Sequence, residues 1–460
     1  MQSDCFGLAM TAASREAARH YDETLRAFLG FRGDTGTHMK QALDADEGLF
    51  MGHCIKGYFF KLFAIPALEE KARQSAGRAR ELAKVVSARE CEHLAALDAW
   101  CAGDMVECAA RLEAILVDYP RDILAIRLAH FCHFYMGDCT AMRDSVARVL
   151  PAWEAGEPSA GFVRGMYAFG LEECGDYAAA RAMAEGAVAE DPGDIWAVHA
   201  AAHVYEMQGH SQDGIAWLKG TEDGWIGCNN FTYHVWWHRA LFHYERAQYD
   251  EVMRLYDAHI RADQSDDYLD ISNAVATLWR LENAGVATGG RWDELADKAE
   301  ARTGDHLLAF ADMHFAIALA AAGRAFALDD MVASMRTANS ASRTTQQQVL
   351  AEVGMALAQA VRAQYHGDFD LAVSLMLPLR YRIRAIGGSH AQRDLFAQML
   401  IKAALKCDKY PLARALLHER TASKPNNAQA WTLLATALEG EGKITDAAVA
   451  RRRAEQLLTA

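Results

Sequence analysis

Apolar residues recur along most of the chain at three- and four-residue intervals, in stretches of about a dozen residues, and this is the period of amphipathic helices rather than of strands. Many of these stretches end at a glycine. An aspartate or another polar residue follows, and then a second, alanine-rich stretch of the same period: Gly103-Asp104, Gly137-Asp138, Gly175-Asp176, Gly209-His210 and Gly367-Asp368 all conform. Each predicts a helix, a tight turn and a second helix. The most apolar run, near Phe315 to Ala322, is too short to span a membrane and reads as a buried helix.

The turns are periodic. Gly103 to Gly137 and Gly175 to Gly209 are each 34 residues, the tetratricopeptide period, while the 38 from Gly137 to Gly175 imply a small insertion. With the glycine at repeat position 15, Ala180 and Ala187 take the small packing positions of a second helix, Pro192 closes that repeat, and Pro120 closes an earlier one. The best match is C-terminal, where Lys424-Pro425-Asn426-Asn427 precedes Trp431, Leu434, Ala435, Leu438, Gly442, Ala447 and Ala454. Small residues let paired helices approach, proline ends a helix, and each pair buries its apolar face on its neighbours. The expected fold class is all-α: a right-handed α-solenoid of tetratricopeptide-type helix pairs with partly degenerate repeats. One continuous solenoid is expected over residues 1–460, with capping helices in 1–90, the clearer repeats in 91–257, and degenerate repeats in 258–460 ending in the consensus-like one. Residues 263–267 and 284–290 read as loops.

The register also places chemistry. Positions 2, 5, 9 and 12 of a first helix line the inner groove of such repeats, and in the repeat ending at Gly209 they are Trp196, His199, His203 and Glu206. Helix geometry agrees, since offsets of 0, 4 and 7 residues put the three polar side chains within about 60° of one another. Taking Ala247 as the next turn residue puts His234 and Trp237 at positions 2 and 5, with His238 beside them. Each histidine pair, His199 with His203 and His234 with His238, has the i, i+4 spacing that brings two imidazoles to one metal ion. Residues 305–314, expected as another helix, supply further carboxylate and imidazole groups, including Asp312 and His314. These donor types suit a divalent transition metal, and imidazole also suits acid–base work near neutral pH.

Other candidates have plainer readings. His130 and His133 fall at packing positions and read as core histidines. The thiol of Cys54, beside His53, invites a thiol-hydrolase reading, but adjacent helical residues diverge by about 100°, so a buried thiol is expected. Ten cysteines without a C-x-x-C pair fit reduced thiols, and no positively charged segment leads into an apolar one at the start, so a cytoplasmic protein is expected. The net charge of −14 argues against a nucleic-acid partner, and no membrane association is expected.

Several segments in order resemble the tetratricopeptide repeat protein 38 family. They are Met51-Gly52-His53, Val163 to Tyr167 with Phe169 to Glu172, Trp196 to His199 with Ala202-His203 and Glu206-Met207, His234 to His238, Phe310 to His314, Pro378 to Ile383, and Gly387 to Asp394. The resemblance covers nearly the whole chain. It implies an all-helical cytosolic repeat protein, without a settled activity. It also implies that the motif positions are His53, His199, His203, Glu206, His234, His238, His314, Asp312, Arg393 and Asp394, whereas Phe131 stands where the family has an aspartate. Within the last motif, Gly387-Gly388-Ser389 reads as a turn and helix cap, and Arg393 as a structural partner or an anion clamp.

Two functions compete, with a passive assembly scaffold as a third reading. The first is a binding module whose His-, Glu- and Trp-lined pocket holds a small polar molecule or a peptide, with Trp196, Trp237, His234, His314, His53 and Arg393 as ligand contacts. The alternative is a hydrolase or lyase for an amide-like or other small polar substrate. There Glu206 would be the base, His199, His203 and His238 its partners, Asp312 the orienting carboxylate, and His199, His203, His234 and His238 the ligands of a divalent transition metal. Oligomeric state is left open by the sequence.

Overall fold

The glycine–aspartate punctuation works at both ends of each turn. Gly103, Gly137, Gly175 and Gly367 adopt φ of +82°, +67°, +85° and +80°, the left-handed conformation that ends a helix. The following Asp104, Asp138, Asp176 and Asp368 each accept a hydrogen bond from a first-turn amide of the next helix. Such a cap is worth about 1 kcal/mol. Ala247 holds the same left-handed conformation, φ +55°, at a turn that lacks glycine. Two glycines are also required for space. A Cβ on Gly209 would lie 2.8 Å from that of Asn426, and one on Gly388 would lie 2.6 Å from the Phe310 ring.

The computed structural model describes the backbone of residues 1–154, 156–157, 159–341 and 344–459, and the side chains of the same residues apart from 338–341 and 459. The chain is all-α, an α-solenoid of tetratricopeptide-type helix pairs. It divides into two compact units. Among the described residues no helix is long and apolar enough to cross a membrane.

The first unit comprises the described residues of Met1–Ala201, Thr221–Thr232 and Ser342–Gln348. Its antiparallel pairs are Arg15–Leu29 with Thr35–Ala45, Phe50–Leu62 with Pro66–Leu82, Ala88–Cys101 with Met105–Asp118, Ile123–Met136 with Cys139–Val149, and Ala160–Glu173 with Tyr177–Glu190. Ahead of them a short ribbon pairs Gln2–Ser3 with Ala9–Met10, an element that the helical periodicity of 1–90 does not announce. Asp4 shapes its turn by accepting from the amides of Phe6 and Leu8. Glu90 then ties the ribbon down, taking the amide and hydroxyl of Thr11 at 2.8 and 2.9 Å while closing a capping box with Ser87. The unit also holds a buried hydrogen-bonded triad. Asp122 caps the Ile123–Met136 helix through Oδ1, and its Oδ2 accepts from Arg89 at 2.6 Å and His93 at 2.9 Å.

The second unit comprises Ala202–Gly220, Tyr233–Ala341 and Val349–Ala460. It takes the later residues of the Ile195–Gln208 helix and most of the Phe231–Glu245 helix, then pairs Tyr268–Asn283 with Arg291–Glu300, Ala309–Ala321 with Ala325–Ala341, Met355–Tyr365 with Phe369–Met376, His390–Lys406 with Tyr410–Ser423, and Ala428–Gly440 with Ile444–Thr459. The apolar run expected to be buried forms the Ala309–Ala321 helix, buried from Ala309 to Leu319.

A buried imidazole cluster as the candidate functional site

Two helices with an unusual aromatic and imidazole content build the site. His203 and Glu206 stand on one face of Ile195–Gln208, and His234 and His238 one turn apart on Phe231–Glu245. Within the second unit the three rings meet. His203 and His238 have centroids 4.4 Å apart, His234 and His238 4.9 Å, and each of the three offers a ring nitrogen within 4.8 Å of the others. All three are 3% exposed or less. Burial, reinforced by neighbouring imidazoles, pushes His203 and His234 well below the ordinary histidine range, so both are neutral at pH 7.

Each of two rings is oriented from behind. Nδ1 of His238 donates to Glu206 Oε2 at 3.0 Å, and Nδ1 of His234 donates to Asn273 Oδ1 at 3.0 Å. Trp237, fully buried, stacks on His234 with centroids 5.2 Å apart and meets His238 edge-on. It is a wall of the site and not an exposed contact. The other oxygen of Glu206 lies 3.7 Å from Nζ of the buried Lys424. Burial raises the Glu206 carboxyl, but the His238 hydrogen bond and the Lys424 ammonium outweigh it and keep the carboxylate ionised.

Glu206 also borders a narrow polar recess of about 10 Å³, room for about one water molecule, walled by Tyr244, Glu245, Arg280, Asp394 and Arg420. Charges of both signs line it. Arg420 grips Asp394 through both carboxylate oxygens, and Gln398 donates to the same carboxylate at 2.7 Å. Asn427 donates to Glu245 at 2.8 Å, and Gln429 to Tyr244 at 2.6 Å. Donors and acceptors both line it, and a ligand larger than water enters only as these side chains part.

Most of the remaining predicted residues lie elsewhere. His199, one turn before His203 on the same helix, belongs to the first unit, with its ring 5.3 Å from Phe169 and 5.2 Å from Phe231. Trp196 is buried in the same aromatic group, 5.7 Å from Phe31. His53, also in the first unit, donates to the Glu47 carbonyl at 2.9 Å. Asp312 accepts from His306 at 3.2 Å and so orients a different imidazole. The 305–314 segment is not one helix: His306 has φ +48° and the helix begins at Ala309. His314 donates to the Phe310 carbonyl at 2.8 Å, and burial lowers it to about 4. Arg393 bonds the Gly388 carbonyl, within a turn that Ser389 closes with a capping box to Gln392. Cys54 is a buried thiol pushed up by desolvation.

Two features escaped the sequence reading. The recess draws Arg280, Asp394 and Arg420 from helices remote in sequence, and Lys424, just past the end of the Tyr410–Ser423 helix, reaches Glu206. In the first unit, Arg127 is 1% exposed and lies against Phe31, Phe131 and Trp196 at 4.6, 4.4 and 4.4 Å, with Nε and Nη2 lacking hydrogen-bond acceptors among the described residues. A lone cation in the apolar run Ile123 to Ala129 was its only signal.

No family model matches the chain. Solved structures similar to it include a human IFIT1 dimer with m7Gppp-AAAA, 12% identical with a TM-score of 0.37, covering 98% of this chain and 92% of that one. Others are Naa15/Naa10 bound to HypK-THB, at 14% identity, TM-score 0.26 and coverage of 96% and 76%, and the P58(IPK) tetratricopeptide repeat domain, at 12%, 0.23, 81% and 99%. At this level of likeness, what those proteins bind is no guide to what this one binds.

Proposed function

We propose that this tetratricopeptide-type repeat protein is a cytoplasmic binding module, related to the tetratricopeptide repeat protein 38 family, that holds a small polar molecule or a peptide end in its second unit. The observation that carries the reading is the buried recess at Glu206, where three carboxylates and two guanidiniums border one small space beside three imidazoles. Burying that much charge is costly, and a packed apolar core would stabilise the fold more cheaply. The family relation is supported by the way its motif segments gather: Gly388 packs on Phe310, and Arg280 reaches toward both the Ala391 carbonyl and Trp237. Ten free thiols support the compartment.

The hydrolase or lyase alternative asks Glu206 to be a base on water. Both of its oxygens face partners, His238 and Lys424, which favours an orienting role. Calorimetry on the full chain with amino acids and dipeptides tests the binding reading, alongside native mass spectrometry of freshly purified protein. A ligand that binds wild type is expected to lose at least about tenfold in affinity, about 1.4 kcal/mol, in His203→Ala/His238→Ala. Every affinity left intact in that folded variant would sink the proposal.

A further inference from the structure

Three imidazoles buried around one point, two of them oriented through Nδ1, are the donor set of a metal centre. We propose that His203, His234 and His238 bind one divalent first-row transition cation, zinc above all. The inference rests on the reading of this region as a ligand site and adds the cation to it.

The geometry is close to what the ion needs. Ligands of a tetrahedral zinc centre, each about 2.0–2.1 Å from the ion, lie about 3.4 Å from one another. The ring nitrogens here are within 4.8 Å, so each ring has on the order of an ångström to travel, within the range of a histidine side-chain rotation. Two of the ligands come from one helix at i, i+4 and the third from its neighbour, an arrangement that holds a site on rigid elements.

The partners behind the rings are the second, independent observation. A carboxylate oxygen only accepts, so Nδ1 of His238 carries the proton and Nε2 the lone pair; the amide oxygen of Asn273 sets His234 the same way. Histidines that bind metal are oriented in this manner, by a carboxylate or carbonyl on the far nitrogen. Glu206 also brings a negative charge one layer out from the ion. Three nitrogen donors with no direct carboxylate select zinc and its neighbours over magnesium or calcium.

The test uses full-length protein without a histidine tag, stripped with chelator and then loaded separately with zinc and with cobalt. Elemental analysis is expected to return about one equivalent of bound ion, and cobalt to give the intense visible absorption of a tetrahedral nitrogen site. His234→Ala should abolish stoichiometric uptake, and Glu206→Gln, which keeps size and fold, should weaken it about 10–100-fold. His38→Ala serves as control, because His20, Glu23 and His38 form a separate group of donors in the first unit, and it should change nothing. Uptake below about a tenth of an equivalent, uptake unchanged in folded His234→Ala and Glu206→Gln, or uptake lost only in His38→Ala would each overturn the assignment. Dipeptide binding measured on the stripped protein separates the two proposals: affinity retained without metal keeps the binding function while the cation falls, and metal without any polar ligand does the reverse.

Discussion

Asp122→Ala is expected to cost about 3–5 kcal/mol of stability, read as a lowered urea midpoint, because it strands a buried cation. The Asp122 carboxylate, 2% exposed, accepts from Arg89, His93 and the Ala125 amide. Removing it deprives the helix beginning at Ile123 of its cap and leaves Arg89, 3% exposed, with the Ala9 carbonyl as its one hydrogen-bond acceptor among the described residues. Arg89→Met added to the same chain should recover much of the loss, since the pair is costly mainly when broken. A loss below about 1 kcal/mol would contradict this account. The pH dependence follows. Burial would raise the Asp122 carboxyl, but His93 and Arg89 hold it well below the usual carboxylate range. A depressed acid contributes stability in full above its unfolded value, about pH 4, and loses it as pH falls through the folded value. Wild type should therefore lose more stability on acidification below about pH 4 than Asp122→Ala does.

Asp394→Asn should have the next largest effect, about 3 kcal/mol, toward the lower end for a broken pair because its carboxylate keeps 15% of its surface exposed. The substitution keeps the shape and removes the charge that Arg420 grips and that Arg280 and Lys424 also feel. Against the desolvation that would raise it, those cations hold Asp394 far below the ordinary range, so its contribution too persists above about pH 4 and fades only in stronger acid. The recess loses its charge balance, and dipeptide affinity should fall at least about tenfold. Cobalt uptake should survive, since His203, His234, His238, Asn273 and Glu206 are untouched. Calorimetry and cobalt absorption on one preparation check both halves, and affinity kept at the wild-type level would remove Asp394 from the ligand site.

How much of this was legible depends on how local each feature is. The turn glycines were readable because a left-handed residue is a property of a few backbone atoms, and Ala247 was placed at its turn by spacing alone. His203, Glu206, His234 and His238 were readable for the same reason, since helical period puts residues four apart on one face whatever surrounds them. Asp312 and His314 had the right chemistry, yet the positive φ at His306 brings that ring to Asp312, and a backbone carbonyl takes His314. Trp237 has groove spacing but faces inward onto His234.

The sequence by itself determined the helices, their pairing period and which polar side chains share a helix face, because these follow from contacts within a turn or two of backbone. Tertiary structure alone decided that Asn273 stands behind His234, that Lys424 reaches Glu206, and that Arg280, Asp394 and Arg420 close one recess. Those neighbours come from helices up to about two hundred residues apart, and their meeting depends on how successive apolar faces pack, a choice that no local period encodes.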